Sequence, residues 1–314
     1  IKEIIKNYEN FSILGIVPYI KGVNKNISLN ETLKNINFEN NNLEDQEKIN
    51  NNIKLESLRN IYTSIKKLSN EKKTYFFNIT SSIPEEGKTF LSILISFTFS
   101  QMGKKVLLVD SDLRKPKIHE YLGIKNEQGL TEILSEDRFI WKNYTQQIDG
   151  YKNLNIITTN NLGLDPIGLL SSEKFDSFIE DVKASNEFDF VFMNTTPVIG
   201  LSDSLLVSNK SDRDFLIISL DKVPKNLTYE AVKILLESYE DEKLPGIIIN
   251  QVNESTNLNE FEYYDNYYSY LFSQNKYQIN NLEIIKKLSN KLGNFKKENK
   301  FKNLKDILKK FFKK

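Results

Sequence analysis

One short segment of the chain carries the residue types that grip phosphate. Residues 82–89 read Ser-Ile-Pro-Glu-Glu-Gly-Lys-Thr; an apolar run at 75–80, typical of a buried strand, precedes them, and a helix-like apolar run at 89–102 follows. A chain that leaves a strand and enters a helix exposes unpaired backbone N–H groups, and these bind phosphate oxygens. In this context Lys88 is expected to reach the terminal phosphates of a nucleotide, and the Thr89 hydroxyl is expected to ligate Mg²⁺.

The segment departs from the usual glycine-rich phosphate loop at two positions. Ser82 stands where the pattern begins with glycine, and Glu85 adds a negative charge where the loop must attract anions. An ordinary strand–turn–helix corner with a threonine cap would give a similar pattern, so other parts of the chain must support the hypothesis. The residues predicted to contact the nucleotide in this segment are Ser82, Glu86, Gly87, Lys88, Thr89 and Phe90.

Two carboxylates follow the next apolar run. Residues 105–109 form a clean strand-like run that leads into Asp110, Asp112 and Arg114. Strand spacing directs both aspartates to the same side, just beyond the carboxyl edge of the sheet, where open α/β sheets bind ligands. One carboxylate can serve a metal ion and the other can act as a base. We predict a catalytic set that combines Lys88 with Asp112 near the metal, Asp110 as the base, and Arg114.

A third strand-like run, at residues 188–193, ends in Asn194. An acidic residue that holds Mg²⁺ is expected at such a strand end. The amide oxygen of Asn194 can ligate Mg²⁺ or its water, but it brings no charge, which weakens the case for catalysis more than the case for nucleotide binding. The predicted metal site therefore consists of Thr89, Asp112 and Asn194.

A tyrosine cluster lies beyond the last strand-like run of the chain. Acidic residues are interspersed in it and aliphatic residues are few, which suits an exposed segment that accepts phosphate. Tyr263, Tyr267 and Tyr270 also have helical spacing and could form one packing seam. Together with the motifs upstream, the pattern favours the phosphoacceptor interpretation. The predicted phosphoacceptors are Tyr263, Tyr264, Tyr267, Tyr268 and Tyr270.

Strands and helices alternate from residue 74 to about residue 253, which predicts an α/β fold with a mostly parallel sheet, helices on both faces and right-handed crossovers, like that of P-loop NTPases.

A basic tail at residues 278–314 has apolar residues at helical spacing. It could lie on an anionic membrane surface or pack one face on the nucleotide-binding domain. The predicted divisions are a lead-in (1–22), an Asn-rich linker (23–53), a nucleotide-binding domain that opens with a helix (54–253, helix 54–70), the tyrosine cluster (254–277) and the basic amphipathic tail (278–314).

Composition narrows the function classes. With 314 residues and 39% apolar content, the chain can bury one sizeable core. A net charge of +1 argues against nucleic acid as a partner of the whole chain, and the lack of cysteine excludes disulfides and thiolate metal sites. No run approaches the roughly 18 consecutive apolar residues of a membrane-spanning helix.

The order and spacing of these motifs resemble the cytoplasmic domain of bacterial tyrosine kinases of the polysaccharide co-polymerase family, the chain-length regulators of capsule and exopolysaccharide export. That family shows a modified phosphate loop, a strand that ends in Asp-x-Asp-x-Arg, a strand that ends in Asp-Thr-Pro-Pro and a C-terminal tyrosine cluster. Here the third motif reads Asn-Thr-Thr-Pro, with Thr196 in place of the first proline. The resemblance spans about residues 11–277 and includes the stretches at 115–119, 129–134 and 170–175.

The resemblance implies that the chain transfers phosphate from MgATP to its own tyrosine cluster, in trans, within a homo-oligomeric ring. It also implies a membrane-embedded N-terminal part, and hence a location at the cytoplasmic face of the bacterial inner membrane. In the family, the helix ahead of the sheet carries Glu-x-x-Arg-x-x-Arg and helps to assemble the ring; here Glu56 and Arg59 are followed by Tyr62, which weakens the expectation of a ring. Asn250, at the end of the last strand, is expected to contact the adenine, as in related nucleotide folds, or to be a plain turn residue.

Two alternative functions remain open at this stage. Glu85 and Asn194 would suit a catalytically weak or inactive ATP-binding scaffold of the export machinery. A partitioning-type ATPase of the same fold is disfavoured, because such proteins carry an additional lysine inside the loop, ahead of its glycine, and residues 83–86 contain none.

Overall fold

The computed structural model describes five stretches of the chain. These are residues 12–19, 45–68 (with side chains from 55 to 66), 73–219, 222–239 and 244–252. All of them belong to one compact unit, residues 1–260. The predicted tyrosine cluster and basic tail, and most of the predicted Asn-rich linker, lie outside the described residues. No helix in the described part is both long enough and apolar enough to cross a membrane.

The described strands form one eight-stranded sheet in the order β1-β8-β7-β2-β6-β3-β5-β4. Every pairing is parallel except that of the short edge strand β4 with β5. The strands are β1 (Ser12–Pro18), β2 (Tyr75–Ser81), β3 (Val106–Asp110), β4 (Gln146–Gln147), β5 (Leu154–Ile157), β6 (Phe190–Asn194), β7 (Arg213–Ser219) and β8 (Gly246–Val252). The predicted α/β fold with a mostly parallel sheet is confirmed.

Helices connect the parallel strands, as crossover connections require. They are α1 (Asp45–Leu68), α2 (Lys88–Gln101), α3 (Ile118–Leu122), α4 (Leu130–Ser135), α5 (Pro166–Leu170), α6 (Glu173–Ser185), α7 (Asp203–Lys210) and α8 (Lys225–Ser238), with a 3₁₀ turn at Trp141–Tyr144. Helix α1 begins at Asp45, whereas the sequence pattern predicts a start at residue 54. The prediction missed this part of the helix because residues 45–53 are rich in asparagine and have few apolar anchors.

The central strands are mostly apolar because the sheet is covered on both faces. Alternate residues therefore enter different cores: Phe76 belongs to the cluster on one face and Phe77 to the cluster on the other. The ring of Phe77 lies 4.6 Å from that of Phe215 and 5.8 Å from that of Phe192, centroid to centroid, across neighbouring strands. This aromatic layer ties together the strands that carry the chemistry-bearing residues.

The strand order brings three predicted site segments together. Strand β6 lies between β2 and β3, and its last residue, Asn194, pairs with Ile79 on one side and with Asp110 on the other. The phosphate-loop segment and the paired aspartates therefore extend from strands that flank Asn194, at one carboxyl edge of the sheet.

Candidate functional site

The phosphate-loop segment, residues 82–87, joins β2 to the N-terminus of α2. The N-cap residue of α2, Gly87, has a φ of 83°, and no side chain caps the helix. A Cβ at this position would lie 2.5 Å from Nδ2 of Asn250, so both the backbone conformation and the space require glycine. The first turn of α2 contains no acidic residue. An uncapped helix N-terminus of this kind suits an anionic phosphate.

The buried side chain of Glu86 stabilises the phosphate-loop segment. Its side chain is 1% exposed, and its two carboxylate oxygens accept hydrogen bonds from the backbone N–H groups of Ile83 and Ser219, each at 2.9 Å. Asn250 donates from Nδ2 to the Glu86 carbonyl at 2.8 Å. Burial raises the pKa of Glu86, and the backbone hydrogen bonds offset only part of that shift. The side chain of Glu86 thus fixes the loop to the end of β7, and its backbone carbonyl fixes the loop to Asn250 of β8.

Lys88 is buried at the centre of the site, with 8% of its surface exposed. Its Nζ donates to Oδ2 of Asp112 and to Oδ1 of Asn194, both at 3.3 Å, and lies 3.5 Å from the Thr89 hydroxyl. The ammonium group therefore bridges three of the elements that the sequence predicts to share a site. A buried charge is tolerated when it is paired and hydrogen-bonded in this way.

Asn194 links Lys88 to the paired aspartates through hydrogen bonds of its side chain. Its Oδ1 also accepts from the Ser92 hydroxyl at 3.3 Å, and its Nδ2 donates to Oδ1 of Asp110 at 3.0 Å. An aspartate at this position could not donate to Asp110. The amide therefore relieves a repulsion between two carboxylates that acidic residues in both places would create.

The two aspartates of the pair lie in different environments. Asp110 is fully buried; its Oδ2 accepts from the backbone N–H groups of Lys117 and Ile118, each at 3.0 Å. Burial raises the pKa of Asp110, with hydrogen bonds from Ile118 and Asn194 acting in the opposite direction. The side chain of Asp112 is 11% exposed, and its Oδ1 accepts from Lys115 N at 3.0 Å. This geometry favours an anchoring role for Asp110, while its role as a base stays a prediction.

Arg114 is held by a residue that the sequence did not single out. Its Nε and Nη2 donate to the two oxygens of Asp203, at 2.7 and 2.9 Å, and Asp203 is completely buried at the start of α7. The hydrogen bond to Asp203 is the main cause of the raised pKa of Arg114. The bidentate pair fixes the loop after β3 to α7, and the predicted catalytic role of Arg114 stays a prediction.

The remaining predicted nucleotide contacts also lie at this edge. Ser82 is buried and its carbonyl accepts from Ile199 N at 3.2 Å. Phe90 lies in the first turn of α2 with its ring 6.2 Å from that of Tyr121, and its contact with a nucleotide stays a prediction. Asn250 is close to Gly87 but its amide is engaged by the loop, so its contact with adenine stays a prediction.

Sequence reasoning missed Ser92, Asp203 and Ser219. Ser92 lies one helical turn after Lys88, and that spacing could have placed it on the same face. No local signal marks Asp203 or Ser219, because each meets its partner only after the sheet has formed. Among the described residues, no group of three or more His, Cys, Asp and Glu side chains is placed to hold a metal ion. Magnesium is commonly held by one or two carboxylates together with substrate phosphates. The carboxylate of Asp112 and the neutral oxygens of Thr89 and Asn194, all close to Lys88, fit such a set of ligands.

Comparison with known proteins gives a consistent assignment. A family model described as an AAA domain matches residues 85–244. The chain is 32% identical to the tyrosine-protein kinase YwqD of Bacillus subtilis over 67% of its own length and 85% of that protein. It is 28% identical to the tyrosine-protein kinase ptk of Acinetobacter johnsonii over 65% of its own length, but spans only 27% of that longer protein. The kinase domain of the Escherichia coli tyrosine kinase ETK, at 22% identity, covers 82% of this chain and 96% of itself with a TM-score of 0.66, which shows the same fold.

Glu85 offers a test of loop strain. It is a non-glycine residue with a φ of 71°, in the left-handed region that costs most side chains roughly 1–2 kcal/mol. We expect Glu85→Gly to raise the free energy of unfolding by about 1 kcal/mol, whereas Glu85→Gln should leave it unchanged. Both variants remove the charge and should tighten ATP binding about twofold to fivefold. Chemical denaturation and calorimetry measure the two effects; equal stability of the Gly and Gln variants would contradict the strain argument.

Glu86 offers a test of its burial through pH. Because its pKa is raised above 4.5 in the folded protein, folding favours the protonated carboxyl, and stability is lost as pH rises from 4.5 through the folded-state value. We expect the parent protein to lose stability relative to Glu86→Gln over this range, as followed by urea denaturation at a series of pH values. The exposed Glu127, changed to Gln, is the matched control. If the stability of the parent relative to that of Glu86→Gln stays flat or rises with pH, the assignment is refuted.

Proposed function

The chain belongs to the family of bacterial tyrosine-protein kinases, with an AAA domain as its core, and we propose that it transfers a phosphoryl group from MgATP to its own tyrosine cluster in capsule or exopolysaccharide synthesis. The observation that supports this most directly is the position of Lys88: a buried ammonium group beside an uncapped helix N-terminus, within hydrogen-bonding distance of Asp112 and Asn194. Phosphoryl transfer depends mainly on positioning and on neutralising charge, and this arrangement supplies both.

The loop and α2 bind the phosphates in this proposal. The backbone N–H groups around Gly87 and Thr89 face the anion, and Glu86 keeps them in place through Ser219 and Ile83. Lys88 exchanges its contact with Asn194 for the terminal phosphates. The exchange is favourable because one charge-assisted partner replaces a neutral amide.

Thr89, Asp112 and Asn194 are the residues that would hold Mg²⁺, directly or through water. Their hydroxyl, carboxylate and amide oxygens are the hard donors that Mg²⁺ prefers, and Lys88 lies within 3.5 Å of an oxygen of each. When bound with ATP, the ion neutralises phosphate charge and orients the transferred group. Asn194 contributes less attraction than an aspartate would.

Asp112 is better placed than Asp110 to accept the proton of the tyrosine hydroxyl, and in that role it would contact Mg²⁺ only through water. A base must come within hydrogen-bond reach of the proton that it accepts, and Asp112 retains some exposure whereas Asp110 has none. Asp110 is then a positioning residue: it holds the backbone at Lys117 and Ile118 and orients Asn194. This assignment revises the division of roles that the sequence suggests.

The acceptors in this proposal are the tyrosines of residues 263–270, supplied by a neighbouring copy in a ring. Each phosphate adds about −1.5 to −2 charges, so several on one segment would repel each other and release it, coupling phosphorylation to assembly. Tyr62, which replaces an arginine of the ring-forming motif, packs inward with its ring 4.9 Å from that of Phe99, while Glu56 and Arg59 form an exposed ion pair. The ring contact would therefore rest on that pair.

The location follows from the family in the same way. We infer that the chain works at the cytoplasmic face of the inner membrane beside a membrane-embedded N-terminal part. The basic residues of 278–314 would give a further contact with anionic lipid.

Lys88→Ala tests the kinase proposal. After incubation of the full chain with MgATP, we expect phosphate on tyrosines of the cluster, and we expect at least about a 100-fold slower rate in Lys88→Ala, because the main cation at the phosphates is lost. Mass spectrometry of the C-terminal peptides measures both. Lys105→Ala, at the opposite edge of the sheet, is the control. Phosphorylation that persists in Lys88→Ala would point to a contaminating kinase and contradict the proposal.

A nucleotide-binding scaffold is the second candidate, and Asn194 is the observation that favours it. Asn194→Asp brings a carboxylate against Oδ1 of Asp110, now 3.0 Å from the amide nitrogen. We expect this variant to unfold at a lower temperature without Mg²⁺ and to recover with MgATP. If the native chain is a kinase, turnover should change by less than about tenfold; a rise of about 100-fold or more from a near-zero rate would identify a scaffold whose catalysis Asn194 has disabled.

A further inference from the structure

Two loops at the entrance of the site form a surface that the proposed chemistry does not use. We call it the mouth surface, and define it by Lys115, Lys117, Leu162, Leu164 and Ile167. All five are exposed, and the three apolar residues keep 54, 45 and 41% of their surface in water. They are three of the seven large apolar residues that are exposed in the described part of the chain, and they lie within one short segment. Such clustering of apolar surface marks an interaction site.

The two loops are neighbours beside the paired aspartates. They follow β3 and β5, which pair in parallel. The Thr159 hydroxyl donates to the Asp110 carbonyl at 2.6 Å, and Asn161 Nδ2 donates to the Arg114 carbonyl at 3.3 Å. These two hydrogen bonds join the loop that carries the apolar residues to the loop that carries the lysines.

The same carboxylates that build the site also hold this surface. Asp112 accepts from Lys115 N and Asp110 from Lys117 N, each at 3.0 Å. Asp165 caps α5 by accepting from Ile167 N at 3.2 Å. The backbone that presents the lysines and the apolar residues is therefore fixed relative to the site.

The two exposed lysines of the mouth surface, Lys115 and Lys117, give it positive charge. Arg114 is already matched by the buried carboxylate of Asp203. Within the residues that the structure describes, neither Lys115 nor Lys117 forms an ion pair with a carboxylate. Their ammonium groups are thus available to an acidic ligand, and the neighbouring loop carries exposed apolar side chains that suit aromatic rings.

We propose that the mouth surface docks the acidic aromatic segment at residues 260–270 of a second copy of the chain and thereby selects the tyrosines to be phosphorylated; this rests on the proposed function. The segment reads Glu-Phe-Glu-Tyr-Tyr-Asp-Asn-Tyr-Tyr-Ser-Tyr, with three carboxylates, no basic residue and six aromatic rings. Its carboxylates match the lysines, and its rings match Leu162, Leu164 and Ile167. Each copy then offers one segment and one surface, a heterologous contact that can close into a ring.

The test uses two forms of the full chain. The acceptor carries Lys88→Ala, a uniform nitrogen-15 label and an intact tyrosine cluster. The donor has its cluster tyrosines replaced by phenylalanine and carries the docking variants: Lys115→Glu with Lys117→Glu, or Leu162→Ser with Leu164→Ser and Ile167→Ser. Mass spectrometry measures the initial rate of phosphate transfer to the labelled acceptor at saturating MgATP. Circular dichroism verifies that each donor is folded.

Both docking variants should raise the KM for the acceptor about tenfold, with a smaller change in kcat, because encounter and docking depend on these side chains. The matched control is a donor with Lys105→Glu and Lys152→Glu, which makes the same charge change at exposed lysines beside the amino ends of β3 and β5. Its KM should change by less than about twofold.

Charge exchange gives the sharpest outcome. An acceptor with Glu260→Lys, Glu262→Lys and Asp265→Lys should be a poor substrate for the parent donor and a better one for the Lys115→Glu, Lys117→Glu donor. Transfer by the parent donor with no effect of any docking variant would overturn the docking surface and leave the kinase proposal intact. No transfer by the parent donor, together with no phosphate on the unmodified chain incubated alone, would instead overturn the kinase proposal. Phosphate on the unmodified chain but never on the labelled acceptor would show that the segment is used in cis, and would overturn the docking of a second copy.

Discussion

The ammonium group of Lys88 is the interaction on which the rest of the site depends. Removing a charge from water is costly unless fixed partners replace the water, and here a carboxylate and an amide oxygen do so at 3.3 Å. Asp112 and Asn194 can serve because β3 and β6 end side by side, with Asp110 and Asn194 in register. The parallel order of the sheet is thus what allows one lysine to donate to acceptors from two distant parts of the chain.

The buried residues behind Lys88 hold the surrounding backbone. Glu86 fixes the loop through Ser219, Asp110 fixes the segment that leads into α3, and Asp203 fixes Arg114. Each is a carboxylate with little or no exposure whose oxygens are taken by N–H donors. Such fully satisfied groups stabilise one conformation of the site, since an unmatched alternative would leave a charge buried without a partner. Glu86, Asp110 and Asp203 are therefore anchors of the backbone, whereas the side chain of Asp112 stays partly exposed to a ligand.

Much of the fold and part of the site could be predicted from the sequence. Apolar runs that end in polar residues placed Lys88, Asp112 and Asn194 at one edge, because parallel strands present their carboxyl ends together. The inward direction of Glu86 and the pairing of Arg114 with Asp203 could not be predicted, since both depend on contacts between residues far apart in the chain. The early start of α1 was missed because its first turns lack an apolar stripe. The complete burial of Asp110 could not be predicted either, because it depends on the strands that pair with β3 on both sides.

Two departures from the family pattern make this site less acidic at its centre and more acidic at its rim. Asn194 removes a charge beside Lys88, and the exposed Glu85 adds one at the loop. The proposed transfer nevertheless requires that Lys88 contact a triphosphate. Isothermal titration of MgATP into the folded full chain tests this most directly: we expect a single saturable binding event, and a folded protein that takes up no adenine nucleotide would contradict the proposal.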